Sequence, residues 1–196
     1  IEPIVNIKLP QSVKIGPGDF YLKDSTFYLH SRLNPEYWIV SYNVVDNNVQ
    51  HFGKRSDNAY TEYLSLAGCN EDILIGVPRY SNTIYLFSLA DKTLTQTIDI
   101  HLPEEGLLLW RELRKKGKNT PLFTDSYWYD GVLFIVFQDF SKHRRGLATV
   151  KFKDGVQIDD ISFRYLLPKN GDDVICINEE NIITYSMAKR AIQLYK

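Results

Sequence analysis

Apolar and polar positions alternate along most of this chain in short runs, each bounded by Asn, Asp or Gly. Between Leu66 and Ile100 the alternation predicts four consecutive strands: Leu66–Cys69, Ile73–Val77, Ile84–Leu89 and Leu94–Ile100. Turns are expected at Asn70–Asp72 and Ala90–Lys92, with a polar loop at Arg79–Asn82. Asn, Asp and Gly tolerate the backbone angles of tight turns, and β-branched and aromatic side chains suit the strands between them. A four-stranded antiparallel meander of this size is one blade of a β-propeller.

The plan recurs. Phe20–His30, Leu66–Gly76, Ser126–Val136 and Val174–Tyr185 each carry an apolar strand, an Asp or Asn, a short polar turn and a second apolar strand. The anchors Asp24, Asn70, Asp130 and Asn178 lie 46, 60 and 48 residues apart, and the long interval contains an insertion at Pro103–Lys118. A period of about 45 residues is that of propeller blades. Third strands are predicted at Tyr37–Asn43, Thr83–Leu89, Gly146–Phe152 and Arg190–Lys196. The last repeat lacks a fourth strand, while Ile4–Leu9 is a strand without a repeat. Its pairing beside Arg190–Lys196 would close the ring and remove an exposed edge. The fold class expected is therefore all-β, a single β-propeller domain over residues 1–196. Four blades are visible, a larger ring remains open, and a β-sandwich of similar strands is the alternative.

The insertion is the one helical candidate. Pro103 suits a first helical position, Glu104 and Glu105 the positive N-terminal end, Arg114–Lys116 the negative C-terminal end, and Gly117 the cap. Leu107, Trp110 and Leu113 share a face, either as packing on the propeller rim or as a lid or docking helix.

Composition changes this picture little. The 196 residues are 13% aromatic and 24% charged with a net charge of −1, an ordinary folded balance. The slight acidity argues against nucleic acid as a partner. No apolar run approaches the roughly 20 residues that span a membrane. The chain starts at Ile1 without a Met, as after removal of a leader or trimming. Cys69 and Cys176 sit in apolar strand patterns, which favours two buried thiols over a disulfide.

Catalytic patterns such as G-x-S-x-G, a phosphate loop, C-x-x-C or H-E-x-x-H are absent from the sequence, and no metal or cofactor is expected. The charges do sort by position. In a four-stranded meander the first and third turns share one end of the blade, and they hold Asp24, Asp72, Asp130, Asp46 and Asp91. The middle loops hold Arg32, Arg79, Lys142, Arg144, Arg145 and Arg190, and all four His, His143 among them, fall at or near that second end. Turn formation alone explains Asp at the first end, and solubility explains cations in wide loops. The functional alternative is an anion met by several Arg at once, through their planar, two-point geometry. Arg32, Arg79, Arg144, Arg145, Arg190, His143 and Trp110 are the candidate ligand-binding residues. An acidic or sulfated glycan is the first partner expected and an acidic protein surface the second.

The stretches HFGKRSDNAYTEY (His51–Tyr63), where the family often has a Gly-rich segment, and NTIYLFSL (Asn82–Leu89) carry a family likeness. Through them the chain resembles the TolB-like, six-bladed propeller proteins of Bacteroides-type bacteria. That resemblance implies an exported protein, periplasmic or at the cell surface, of unknown activity. The function expected is a non-catalytic binding scaffold. A glycan lyase, hydrolase or lactonase with its site in the central funnel is the alternative.

Overall fold

A computed structural model of the chain describes residues 9–11, 13, 20–55, 62–68, 72–153 and 157–165, and three further strands as backbone. The first sheet is β1 (Phe20–Lys23), β2 (Thr26–His30), β3 (Tyr37–Asn43) and β4 (Asn48–Lys54). The second is β5 (Leu64–Gly68), β6 (Ile73–Pro78), β7 (Thr83–Ser88) and β8 (Thr93–Asp99). Helix α1 (Glu104–Lys115) leads into β9 (Phe123–Tyr129), β10 (Val132–Asp139), β11 (Arg144–Lys153) and β12 (Gln157–Tyr165). The last sheet is β13 (Asp172–Ile177), β14 (Ile182–Ser186) and β15 (Ala191–Tyr195). Every sheet is an antiparallel meander in chain order.

The sheets stack face to face. Strands β1 and β2 touch β5, β5 and β6 touch β9, and β9 touches β13, so the first strand of each sheet meets the first strand of the next. Blades of a propeller are arranged in this way around their axis. Period-two alternation explains how one sheet serves two neighbours. On β7, Tyr85 and Phe87 face the first sheet, packing with its Trp38 and Phe52 and with Leu64 and Leu74 of their own sheet. Ile84 and Leu86 face the third, against Leu133, Ile135, Phe137 and Val150.

Glycine marks the tightest contact of that third sheet. A Cβ at Gly146 would stand 2.2 Å from Cζ of Phe137, a ring that is itself fully buried. Gly146→Ala is therefore expected to lower stability by about 1–3 kcal/mol through overpacking. A urea midpoint equal to the parent's would show that the Phe137 ring has room to move.

The turns follow their residues. Tyr129 pairs with Val132, leaving Asp130 and Gly131 at φ 44° and 78° in a two-residue hairpin, the geometry that Asp-Gly favours. Asp24 is also left-handed at φ 52°, and Asn47 at φ 53° closes the β3–β4 loop. These acids and amides stand in their turns for backbone reasons, and that accounts for much of the acidic character of this end.

Helix α1 is placed as expected, with one shift: Pro103 is the N-cap residue, just outside the first turn. At the other end Gly117, at φ 75°, donates its N–H to Arg114 O and Lys118 donates to Leu113 O. That pair of bonds is a Schellman cap. Leu107 and Trp110 are buried in the core between the second and third sheets, and the Trp110 indole N–H donates to Thr120 O at 2.9 Å. Gly106 lies so close to Asp139 that a Cβ would meet its carboxylate at 2.5 Å. The helix is packed onto the rim of the third sheet.

Three expectations lie outside the described residues. Of Ile4–Leu9 only Leu9 is described, and it packs with Val13 on Leu29, Val40 and Tyr42 of the first sheet. Cys69 is not described, and Cys176 is described only as backbone.

Candidate anion-binding site

The end of the sheets that carries the middle loops gathers side chains from five strand ends. His30 closes β2, Trp38 lies near the start of β3, and Arg55 follows β4. Glu62 and Tyr63 precede β5, and Arg79 follows β6. The backbone ties these pieces together: Ser31 N–H donates to Trp38 O, Arg55 N–H to Glu36 O and Arg79 N–H to Tyr63 O, all within 2.8–2.9 Å. Tyr80 N–H adds a bond to the Glu62 carboxylate at 3.2 Å.

Around Tyr63 the cations converge. The guanidinium carbons of Arg32 and Arg79 stand 5.3 and 5.2 Å from the centre of its ring. The His30 ring is 5.5 Å from the same ring. Arg55, only 8% exposed, lies 4.1 Å over Trp38 and donates from Nε to Tyr37 O. Cation–π contacts of this kind seat the guanidinium groups over aromatic faces. His30, Ser31, Arg32, Pro35, Arg55, Glu62 and Tyr63 line a cavity of about 290 Å³. Among these described residues Glu62 is the one acid, set against two arginines.

His30 is 6% exposed and its Nδ1 has no hydrogen-bond partner. Burial, with the adjacent Arg55 and Arg32, brings its pKa down to about 4, against a smaller upward pull from the Trp38 backbone. The ring is therefore neutral near pH 7. An unmatched buried polar atom is costly, and a ligand that bonds to it would remove that cost. The Nε of Arg79 is likewise buried and unmatched.

Of the residues expected from sequence, Arg32 and Arg79 are brought together here. Arg144, Arg145 and His143 stand elsewhere, lining a cavity of about 270 Å³ on the third sheet with Gln138, Asp139 and Phe140. Arg144 and Arg145 lie in β11, paired with Asp139 and Gln138, where a loop ending at Gly146 was expected. The tight turn after Asp139 lets the ladder run to those two residues. Arg190 lies outside the described residues. Trp110, 6% exposed with its N–H already bonded, offers a ligand no edge and does not belong to the site. Sequence reasoning placed His30 at this end, among the four His, without joining it to Arg55, and gave no role to Trp38, Glu62 or Tyr63. The available signal was an aromatic residue at a strand end beside Arg.

No protein-family model and no curated protein matches the sequence. Solved structures do resemble it. One is dihydro-heme d1 dehydrogenase NirN in complex with DHE, 12% identical with a TM-score of 0.52, over 87% of this chain and 32% of that one. Another is selenomethionine-substituted virginiamycin B lyase from Staphylococcus aureus, 12% identical with a TM-score of 0.51, over 92% of this chain and 55% of that one. Both are propeller-type proteins, and the chain shares their β-propeller fold. It spans about a third of the first and about half of the second. Likeness at this identity concerns fold alone: it supports the propeller fold and not membership of a TolB-like family. Among the described residues no helix is long and apolar enough to cross a membrane, and no three His, Cys, Asp or Glu side chains form a metal-binding group.

Proposed function

We propose that this chain is a binding module of propeller type. Its ligand is an acidic glycan, held at the basic end between the first two sheets. The observation that carries this reading is the convergence of Arg32, Arg55 and Arg79 beside a cavity with a single described acid. Arginines clustered in a concave site focus the field and bind carboxylate or sulfate by two-point contacts. The cavity volume of about 290 Å³ is at the small end of ligand sites, which suits one sugar unit rather than an enclosed chain. Display at the cell surface or in the periplasm, implied by the family resemblance, belongs to the same reading.

The nearest approach to a catalytic pair favours binding over hydrolysis. Ser31 Oγ lies 3.3 Å from His51 Nδ1, but its proton goes to Asn34 O at 2.9 Å. The hydroxyl is thus an acceptor toward His51, not a nucleophile being deprotonated by it.

The test is a titration with acidic oligosaccharide in low salt. Arg32→Glu combined with Arg79→Glu is expected to weaken binding about a hundredfold, since each lost charged hydrogen bond is worth about 1.5–3 kcal/mol. Arg32 is exposed, so Arg32→Glu alone leaves the core untouched and still weakens binding. Asp46→Lys with Asp91→Lys, at the opposite end, leaves affinity unchanged. Affinity also falls with salt, because charges at the mouth are screened over about 8–10 Å. Loss with Arg144→Glu and Arg145→Glu instead would move the site to the third sheet. Binding of an acidic peptide in preference to glycan would replace the ligand class.

A further inference from the structure

Resting on that reading, we infer that the ligand is an acidic polysaccharide laid across this end, with a second anion contact at Arg114 beyond the cavity. One uronate unit sits in the cavity beside Arg32 and Arg79, and a following unit of the same chain meets the helix. The inference is carried by a second cation–aromatic pair, Arg114 over Tyr80, fastened to the first through the backbone.

Bonds on both sides make the join. Arg79 stands over Tyr63, and the next residue, Tyr80, donates its N–H to Glu62 of the cavity wall at 3.2 Å. The guanidinium carbon of Arg114 lies 5.0 Å from the centre of the Tyr80 ring and 5.8 Å from that of Trp110. The connection from α1 to β9 holds both arginines. Arg114 Nη1 donates to Asn119 Oδ1 at 3.4 Å, and Leu122 N–H donates to Arg79 O at 2.7 Å. Asn119 and Leu122 are three residues apart, so at most about 11 Å of extended backbone separates these anchors. Arg114 does not line the cavity, so a unit seated there does not meet it, while the short connection keeps it within reach of the next units.

The charges suit a polyanion. Among the described residues Arg32, Arg79 and Arg114 form no ion pair. The acids beside them are engaged: Glu112 pairs with Lys115 at 2.8 Å, and Glu62 accepts from Tyr80. An arginine already seated over two rings loses less freedom when a ligand arrives. Linked units make the second contact intramolecular, so affinity rises with chain length.

The experiment titrates galacturonate, tetragalacturonate and hexaglutamate into the protein in low salt. Tetragalacturonate is expected to bind at least tenfold more tightly than galacturonate, a difference of about 1.4 kcal/mol or more. Arg114→Gln should remove most of that gain and leave galacturonate affinity within about twofold of the parent's, whereas Arg32→Glu weakens both. Arg111→Gln takes the same charge from an exposed position on α1 and should change neither. If Arg114→Gln fails to fold, Arg114→Lys keeps the charge at the helix end and is read in the same way, with a smaller loss for the tetramer. Equal affinity for the two uronates, or equal losses from Arg111→Gln and Arg114→Gln, overturns the inference while leaving the cavity site standing. Hexaglutamate binding as tightly as tetragalacturonate overturns it in favour of an acidic peptide. If neither uronate binds, both readings fall.

Discussion

Phe87→Ala is expected to lower the stability of the fold by about 3–5 kcal/mol, the range for removing a buried phenyl ring. For a chain of this size that corresponds to a fall in Tm of about 10 °C. Phe87 is 0% exposed and sits at the seam between the first two sheets. It meets Phe52 edge-on, with ring centres 6.4 Å apart and planes at 85°. On the facing strand Gly53, at φ 64°, makes room for it: a Cβ there would stand 2.6 Å from the ring. At Gly53 the facing strand has no side chain to move into the space that alanine would leave, which adds a cavity term to the lost transfer energy. Leu108→Ala, on the outer face of α1 at 50% exposure, is the control and is expected to shift stability by less than about 0.5 kcal/mol. Urea unfolding of both variants checks this. Equal midpoints would mean that the two sheets do not share a packed seam, and the stacking of propeller blades would lose its main support.

The same seam explains why the fold was more legible than the site. Strand β3 is read from the sequence to the residue, Tyr37–Asn43, because a short apolar run bounded by polar turn residues marks a strand buried on both faces. The Asp130-Gly131 hairpin and the cap at Gly117 were legible for a similar reason: each is specified by residues adjacent in sequence. The site is different. Its members come from the ends of β2, β3, β4, β5 and β6, and only the stacking of two sheets brings Tyr63 between Arg32 and Arg79. Sorting charges by turn order put Arg32 and Arg79 at one end, where the structure has both beside Tyr63, since meander topology alternates ends regardless of detail. It could not join residues of different blades. It also misjudged Trp110, whose helical face was legible but whose hydrogen bond to Thr120 was not. Arg144 and Arg145 show the opposite limit. Apolar alternation stops at Gly146, yet the ladder continues through both arginines because Asp139 tightens the turn beyond them.

That turn makes Asp139 the residue whose removal is expected to hurt the third sheet most. Its carboxylate is 2% exposed and ends β10. Oδ1 accepts from Ser141 N–H at 2.9 Å, Ser141 Oγ at 2.6 Å and Lys142 N–H at 3.2 Å, while Oδ2 accepts from Tyr165 at 2.6 Å. Asp139→Ala leaves these donors unmatched beside α1, and is expected to lower stability by about 3–4 kcal/mol. Asp139→Asn keeps one acceptor oxygen for the turn and is expected to fall between alanine and the parent. The comparison of the parent with Asp139→Asn also carries a pH signature. Burial pushes the Asp139 pKa up, but the bonds from Ser141, Tyr165 and the backbone of Lys142 and Ser141 outweigh it, holding the group below its ordinary 3.8. Folding therefore favours the ionised form. Its contribution is full above the ordinary value and is lost as pH falls through the lower, folded-state value. Between pH 7 and 5 the parent should consequently outlast Asp139→Asn by a constant margin in urea. Below about pH 4 that margin should shrink, because the parent's own carboxylate is then taking up a proton. A margin that stays constant into acid would show that the ionised carboxylate is not what holds the turn.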